Sequence, residues 1–182
     1  MITRFFVRIR KWWMLHQGNK EKIKYYRSLG MKIGEGCRFT GIPNFGSEPY
    51  LIEIGDDCLI AGGTFHVHDG GVKVLNSLNF FKGKRMDKMQ RIRVGNNCFI
   101  GSSSIIMGGV AIGENCIIGA GSIVSKSVPP NSVVAGVPAK IICSIEDYYK
   151  KNNERGNFYY TEKLNKMQKK SFLMENVKEL KI

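Results

Sequence analysis

From Val94 to Pro129 the chain keeps a six-residue beat without a slip. A branched aliphatic returns at Val94, Ile100, Ile106, Ile112, Ile118 and Val124. The residue after it is Gly95, Gly101, Met107, Gly113, Gly119 or Ser125, glycine in four of six, so backbone at this slot must pass close to a neighbour or take unusual angles. Three residues further on stand Cys98, Ser104, Val110, Cys116, Ser122 and Val128, all small or compact. So short a period fits neither a helical packing stripe nor a simple alternating strand. It marks a stacked parallel β-helix, an all-β solenoid in which each hexapeptide forms one side of a coil. The aliphatics point inward and stack about 4.8 Å apart from coil to coil, and the small residues fill the space beside them. The same beat appears at Ile33, Ile54 and Ile60. The step from Ile54 to Val94 is not a whole number of hexapeptides, so a segment leaves the coil between them.

This periodicity divides the chain. Residues 1–30 read as an N-terminal helical cap, residues 31–143 as the solenoid with an excursion loop over 66–93, and residues 144–182 as a C-terminal helical tail. Residues 39–53 carry Gly41, Pro43, Gly46 and Pro49 and suggest a distorted coil. In the head, Phe5, Phe6, Ile9, Trp12 and Trp13 fall at helical spacings among Arg4, Arg8, Arg10 and Lys11. Such a helix suits first the cap that an open solenoid end requires, a role compatible with a peripheral contact with a membrane surface. No apolar run approaches the roughly 18 residues of a membrane span, and Arg8, Arg10 and Lys11 break any signal-peptide core, so a cytoplasmic location is expected.

Of five cysteines, Cys37, Cys58, Cys98 and Cys116 occupy the fifth slot of a hexapeptide, which reads as small interior filler in a reduced protein. Cys143 stands alone, and no Cys-x-x-Cys pair exists. The net charge of +13 is concentrated in residues 1–30 and 73–93. No nucleic-acid module accompanies it, so anionic small molecules, an anionic polymer or a membrane surface are the expected partners rather than nucleic acid.

The chemistry-bearing residues sit where the beat stops, in Phe65-His66-Val67-His68-Asp69-Gly70-Gly71. A loop mounted on a rigid scaffold is a favoured site for catalytic groups. Three readings fit the pair: an imidazole general base acting on a hydroxyl, two ligands of a metal whose third donor is missing nearby, or solvated loop histidines. The solenoid context favours the base. Asn79-Phe80-Phe81-Lys82-Gly83-Lys84-Arg85 mixes aromatics with cations, which suits either a reach over a neighbouring subunit or recognition of a sugar, an acidic sugar or a lipid-pyrophosphate carrier.

The run from Val94 to Lys140, with Ile118-Gly-Ala-Gly-Ser-Ile-Val-Ser-Lys126 and Ala135-Gly-Val-Pro-Ala-Lys140 at its heart, resembles the hexapeptide-repeat acyltransferases, above all the branch that O-acetylates sugars. The His-Asp-Gly-Gly loop is similar to that of members that modify capsular or other surface polysaccharides. The resemblance implies a left-handed β-helix, a homotrimer with sites between subunits, a saccharide acceptor and acetyl-CoA as co-substrate, with no metal and no covalent intermediate. It carries the catalytic histidine to His68, with His66 as runner-up and Asp69 as an orienting residue. Contacts to coenzyme A fall on Ser102, Ala120, Ser125, Lys126 and Lys140, an aromatic beside the thioester on Phe99, and oxyanion stabilisation near Gly101 and Ser102. Cys143 departs from relatives that carry a second basic residue there. An acetyltransferase for a small free sugar or for an amino acid of the serine type, a γ-type carbonic anhydrase and a non-catalytic trimeric scaffold share the architecture and remain open alternatives.

Overall fold

The computed structural model describes residues 17–177; the aromatic stripe of residues 5–13 and its membrane reading lie outside them. The described chain divides into two compact units, one ending at Ile145 and one beginning at Glu146.

The first unit opens with helix α1 (Asn19–Ser28) and then winds through short strands. The first coil holds β1 (Lys32–Ile33), β2 (Arg38–Phe39) and a single bridging residue, Asn44. The second holds β3 (Ile52–Ile54), β4 (Leu59–Ile60) and β5 (Thr64–His66), followed by an excursion containing helix α2 (Val72–Ser77). The third is β6 (Ile92–Val94), β7 (Phe99–Ile100) and β8 (Ile105–Met107), and the fourth β9 (Ala111–Ile112), β10 (Ile117–Ile118) and β11 (Ile123–Val124). Val128 and β12 (Ser132–Gly136) begin a fifth, and β13 (Ala139–Ser144) folds back.

Pairing turns this order into a three-sided prism. The strands sort in rotation into three sheets, ordered β1-β3-β6-β9, β13-β12-β10-β7-β4-β2 and β11-β8-β5. All strand pairs between coils are parallel. A regular coil is three hexapeptides long, which sets Ile100 on Ile118 and Ile106 on Val124. Ile60 pairs with Ile100 from the far side of the excursion, so the inserted segment leaves the register undisturbed. The aliphatics of the beat are all buried, Ile100, Ile106 and Ile118 completely. Each such side chain contributes about 1.5–3 kcal/mol.

The glycine slot is explained by close approach. A Cβ on Gly95 would lie 2.7 Å from the backbone nitrogen of Glu114, and one on Gly101 2.5 Å from that of Ala120. Unusual angles occur instead two residues later, where Asp57, Asn97, Ser103, Asn115 and Asn131 have φ between 52° and 57°. Asn and Asp tolerate that region best among side-chain-bearing residues. Asn97 donates to Asn115 and Asn115 to Asn131, each at 2.9 Å, a ladder along one edge of the prism. Inside the same edge Cys37, Cys58, Cys98 and Cys116 form a buried column, each thiol donating to a backbone carbonyl of the next coil at 3.0–3.2 Å. Burial pushes the Cys116 thiol pKa up.

Both ends are covered. Asn19 of α1 accepts from the Phe39 N–H and donates to the Cys37 carbonyl, and Arg27 donates to the Ile33 and Gly34 carbonyls, meeting edge groups of the first coil that have no coil before them. Tyr26 packs edge-on against Phe45, ring centres 4.7 Å apart, and against Phe39, and Phe45 in turn packs on Phe65. At the other end β13 pairs antiparallel with β12, a hairpin in a stretch expected only to close the coil before a helical tail. The turn at Gly136, with φ 103°, followed by the apolar run Ile141-Ile142, makes a returning strand.

In the second unit, helix α3 (Ile145–Glu154) begins at the boundary and α4 (Lys166–Asn176) opens with a capping box, in which Asn165 accepts from Gln168 N–H and Gln168 accepts from Asn165 N–H, both at 3.0 Å. Among the described residues no helix is long and apolar enough to cross a membrane.

Replacing Gly95 with Ala is expected to lower the unfolding free energy by about 1–3 kcal/mol, because the new methyl meets backbone that cannot swing aside. Urea unfolding of the purified variant checks this.

Candidate active site

The excursion leaves the prism at the corner after β5 and returns to that corner before β6. Its legs are tied together: Gln90 N–H donates to the Val67 carbonyl at 2.7 Å and Asp69 N–H to the Lys88 carbonyl at 2.9 Å, with His68 bridged antiparallel to Met89. The two-residue alternation of an extended chain sends Val67 into the core and leaves His66 and His68 exposed on the same side. They share a cavity of about 660 Å³ whose floor is made by Ile105, Met107 and Ile123, the outward side chains of the third sheet.

His68 Nδ1 lies 3.1 Å from Glu48 Oε2. Hydrogen bonding from Ser47, and then from His68, holds the Glu48 carboxyl below its usual range, so it is an ionised acceptor. An ionised carboxylate offers no proton, so Nδ1 carries the hydrogen and the neutral ring has its lone pair on Nε2. Glu48 is the better shielded partner, its side chain 17% exposed against 44% for His68. The arrangement is an oriented base on the wall of a cavity.

Glu48 was not legible as this partner. Asp69, the residue expected to orient His68, turns elsewhere: it accepts from Lys88 Nζ at 2.7 Å and from Gly71 N–H at 2.8 Å. Lys88, then Gly71, holds its carboxyl below the ordinary range. Neighbours in an extended segment face opposite ways, so a residue adjacent to His68 is badly placed to reach its ring. Glu48 arrives from the coil before. Asn44 bridges Thr64 at the same sequence offset that separates Glu48 from His68, and that local coil spacing is the one sequence signal that links them.

The other expected site residues are spread over the prism. Ser125, at the corner after β11, lines the histidine cavity, and Lys126 follows it. Gly101, Ser102 and Ala120 sit at the opposite edge of the third sheet, in the turns after β7 and β10. The Gly101 N–H is committed to the Ile118 carbonyl at 2.9 Å and is not available to an oxyanion. Phe99 lies on the second sheet, in a separate depression with Arg38 and Asp57. Lys140 is on β13, paired with Ala135. One chain thus joins His66, His68, Asp69 and Ser125, and does not bring Phe99, Gly101, Ser102, Ala120, Lys126 or Lys140 into that cavity. Among the described residues no three His, Cys, Asp or Glu side chains form a metal-holding cluster.

Residues 91–126 match the family model described as the hexapeptide repeat of succinyl-transferase. Protein CapG of Staphylococcus aureus is 49% identical over 156 residues, covering 84% of this chain and 87% of that protein. Galactoside O-acetyltransferase of Escherichia coli (strain K12) is 42% identical over 137 residues, 74% of this chain and 62% of that one. Among solved structures, galactoside acetyltransferase in complex with coenzyme A aligns with a TM-score of 0.54 at 28% identity, covering 84% of this chain and 82% of its own.

The Glu48–His68 contact has a definite pH signature. A carboxyl with a depressed pKa in the folded state adds stability that is present above its unfolded value, about 4.3, and lost as pH falls through the lower folded value. Nitrogen-15 NMR of the imidazole is expected to report a proton on Nδ1 in the neutral ring, and Glu48→Gln is expected to mix the two tautomers.

Proposed function

Since this chain belongs to the hexapeptide-repeat acyltransferases, we propose that it moves an acetyl group from acetyl-CoA to a hydroxyl of a saccharide that enters a cell-surface polysaccharide. The observation that carries the reading is the His68–Glu48 pair on the wall of the third-sheet cavity. The name galactoside acetyltransferase, carried by a curated relative and by a solved structure, and the coenzyme A in that structure support it. We infer further that the coil has the family's left hand, that the chain acts as a homotrimer, and that it works in the cytoplasm.

His68 Nε2 takes the proton from the acceptor hydroxyl as its oxygen attacks the thioester carbonyl. The tetrahedral intermediate collapses, the carbon–sulfur bond breaks, and the thiolate takes the proton back from the imidazolium. The products are the acetyl ester and free coenzyme A. Glu48 keeps Nδ1 protonated and stabilises the ring's transient charge, as an orienting carboxylate does for other base histidines. The half-buried Ile105 and Ile123 suit the methylenes and geminal methyls of the pantetheine arm of coenzyme A. Lys126 and Lys140, which have no ion pair among the described residues, suit its phosphates.

The division of residues over separate faces supports a site shared between subunits. In a trimer, Phe99 and Ser102 of one copy face the His68 cavity of the next, and the Ser102 hydroxyl stabilises the oxyanion there.

His68→Ala is expected to lower kcat by about 10²–10⁴-fold with the fold intact. The measurement is acetyl-CoA consumption with saccharide acceptors, followed by mass gain on the product. Retained activity, or activity confined to free serine, overturns the reading. Mixed oligomers of His68→Ala and Ser102→Ala chains are expected to recover activity well above either parent; a sum of the two parents means that each site lies within one chain.

A further inference from the structure

Beside the histidine cavity the excursion encloses a second one, of about 680 Å³, and Gly70 lines both. Lys73, Lys84 and Arg85 line it together with one acid, Asp87. These three cations have no ion-pair partner among the described residues, whereas Lys88 is paired with Asp69, Arg93 with Glu53 and Arg27 with Glu35. The walls are held at a set spacing by one side chain. Asn76 of α2 donates to the Met86 carbonyl at 2.8 Å and accepts from the Met86 N–H at 2.9 Å, clamping the helix that carries Lys73 to the segment that carries Lys84 and Arg85. Gly70, where a Cβ would meet nothing within 4 Å, is an uncrowded position shared by the linings of the two cavities.

We propose that this second cavity is an anion subsite, and that the acceptor is a saccharide bearing a phosphate or carboxylate that lies among Lys73, Lys84 and Arg85 while its hydroxyl meets His68 across Gly70. The inference rests on the acetyl-transfer reading above and adds the chemical class of the acceptor. Three unpaired cations against one acid in a concave, clamped wall select for an oxyanion, and a guanidinium beside two ammonium groups suits both phosphate and carboxylate. A cationic wall beside the base also raises the local concentration of an anionic acceptor, an advantage that falls with added salt.

The test compares one neutral hexose with its 1-phosphate and its uronic acid, in the wild type and in the Lys84→Gln/Arg85→Gln double variant. The wild type is expected to favour at least one anionic acceptor by about tenfold or more in kcat/KM, and the double variant to bring that ratio toward one, mainly through KM. Which anionic acceptor is favoured separates phosphate from carboxylate. A wild-type ratio near one, or an equal loss for all three acceptors in the variant, overturns the subsite. Calorimetric binding of the hexose 1-phosphate separates this inference from its premise. Binding that depends on Lys84 and Arg85, with no transfer to any saccharide, sinks the acetyl-transfer reading and leaves the subsite standing. Transfer to the neutral sugar without preferential binding of the phosphate sinks the subsite alone.

Discussion

Successive coils touch at the glycine corners with no room to spare, and the rest of the molecule depends on that contact. Gly34, Gly55, Gly95, Gly101 and Gly113 each face the backbone or a short polar side chain of the following coil at a distance no Cβ survives. The spacing between coils is therefore fixed by backbone against backbone. Because it is fixed, the inner aliphatics stack in columns, the four thiols find carbonyls of the next coil, and the asparagine amides meet end to end. Each of these interactions is modest alone, about 1 kcal/mol for an ordinary hydrogen bond. They recur because the geometry recurs.

The Glu48–His68 pair stands just outside that stack. His68 lies on the first leg of the excursion and Glu48 in the stretch that leads from Asn44 towards β3, so their 3.1 Å contact joins two segments just beyond the Asn44–Thr64 bridge between coils. The excursion in turn is fastened at its root by the Val67–Gln90 and Asp69–Lys88 backbone bonds. Further out, the Asn76 clamp sets the spacing of its cations. The cavity floor thus belongs to the third sheet of the prism, His68 to the tied root of the excursion, and the basic wall to the segment beyond it.

The periodic part of this architecture was legible because each hexapeptide repeats one physical demand. The aliphatic beat located the strands, and the fifth-slot cysteines located a buried column. The pair His66 and His68 stood out because it falls where the beat stops. What escaped reading depends on contacts between coils rather than along the chain. Glu48 sits in the irregular stretch, where coil length departs from three hexapeptides, so the hexapeptide phase alone does not set it against His68; Asp69 was the natural guess from adjacency. The β12–β13 hairpin escaped because the repeat ends at Val128, and a short antiparallel return leaves only a glycine turn and two isoleucines as its trace. The glycines were half understood: close approach governs them, while the left-handed residues lie two positions on.

The excursion is inserted between strands of two adjoining coils, yet both its ends meet at one corner and Ile54 still lies beside Val94. The core therefore does not register the length or the content of what is inserted. The insertion can drift, lengthen or be exchanged wholesale as a cassette, while the folding of the prism stays under separate selection. A scaffold with that property can carry many different insertions on one unchanged core, diversifying at a single joint.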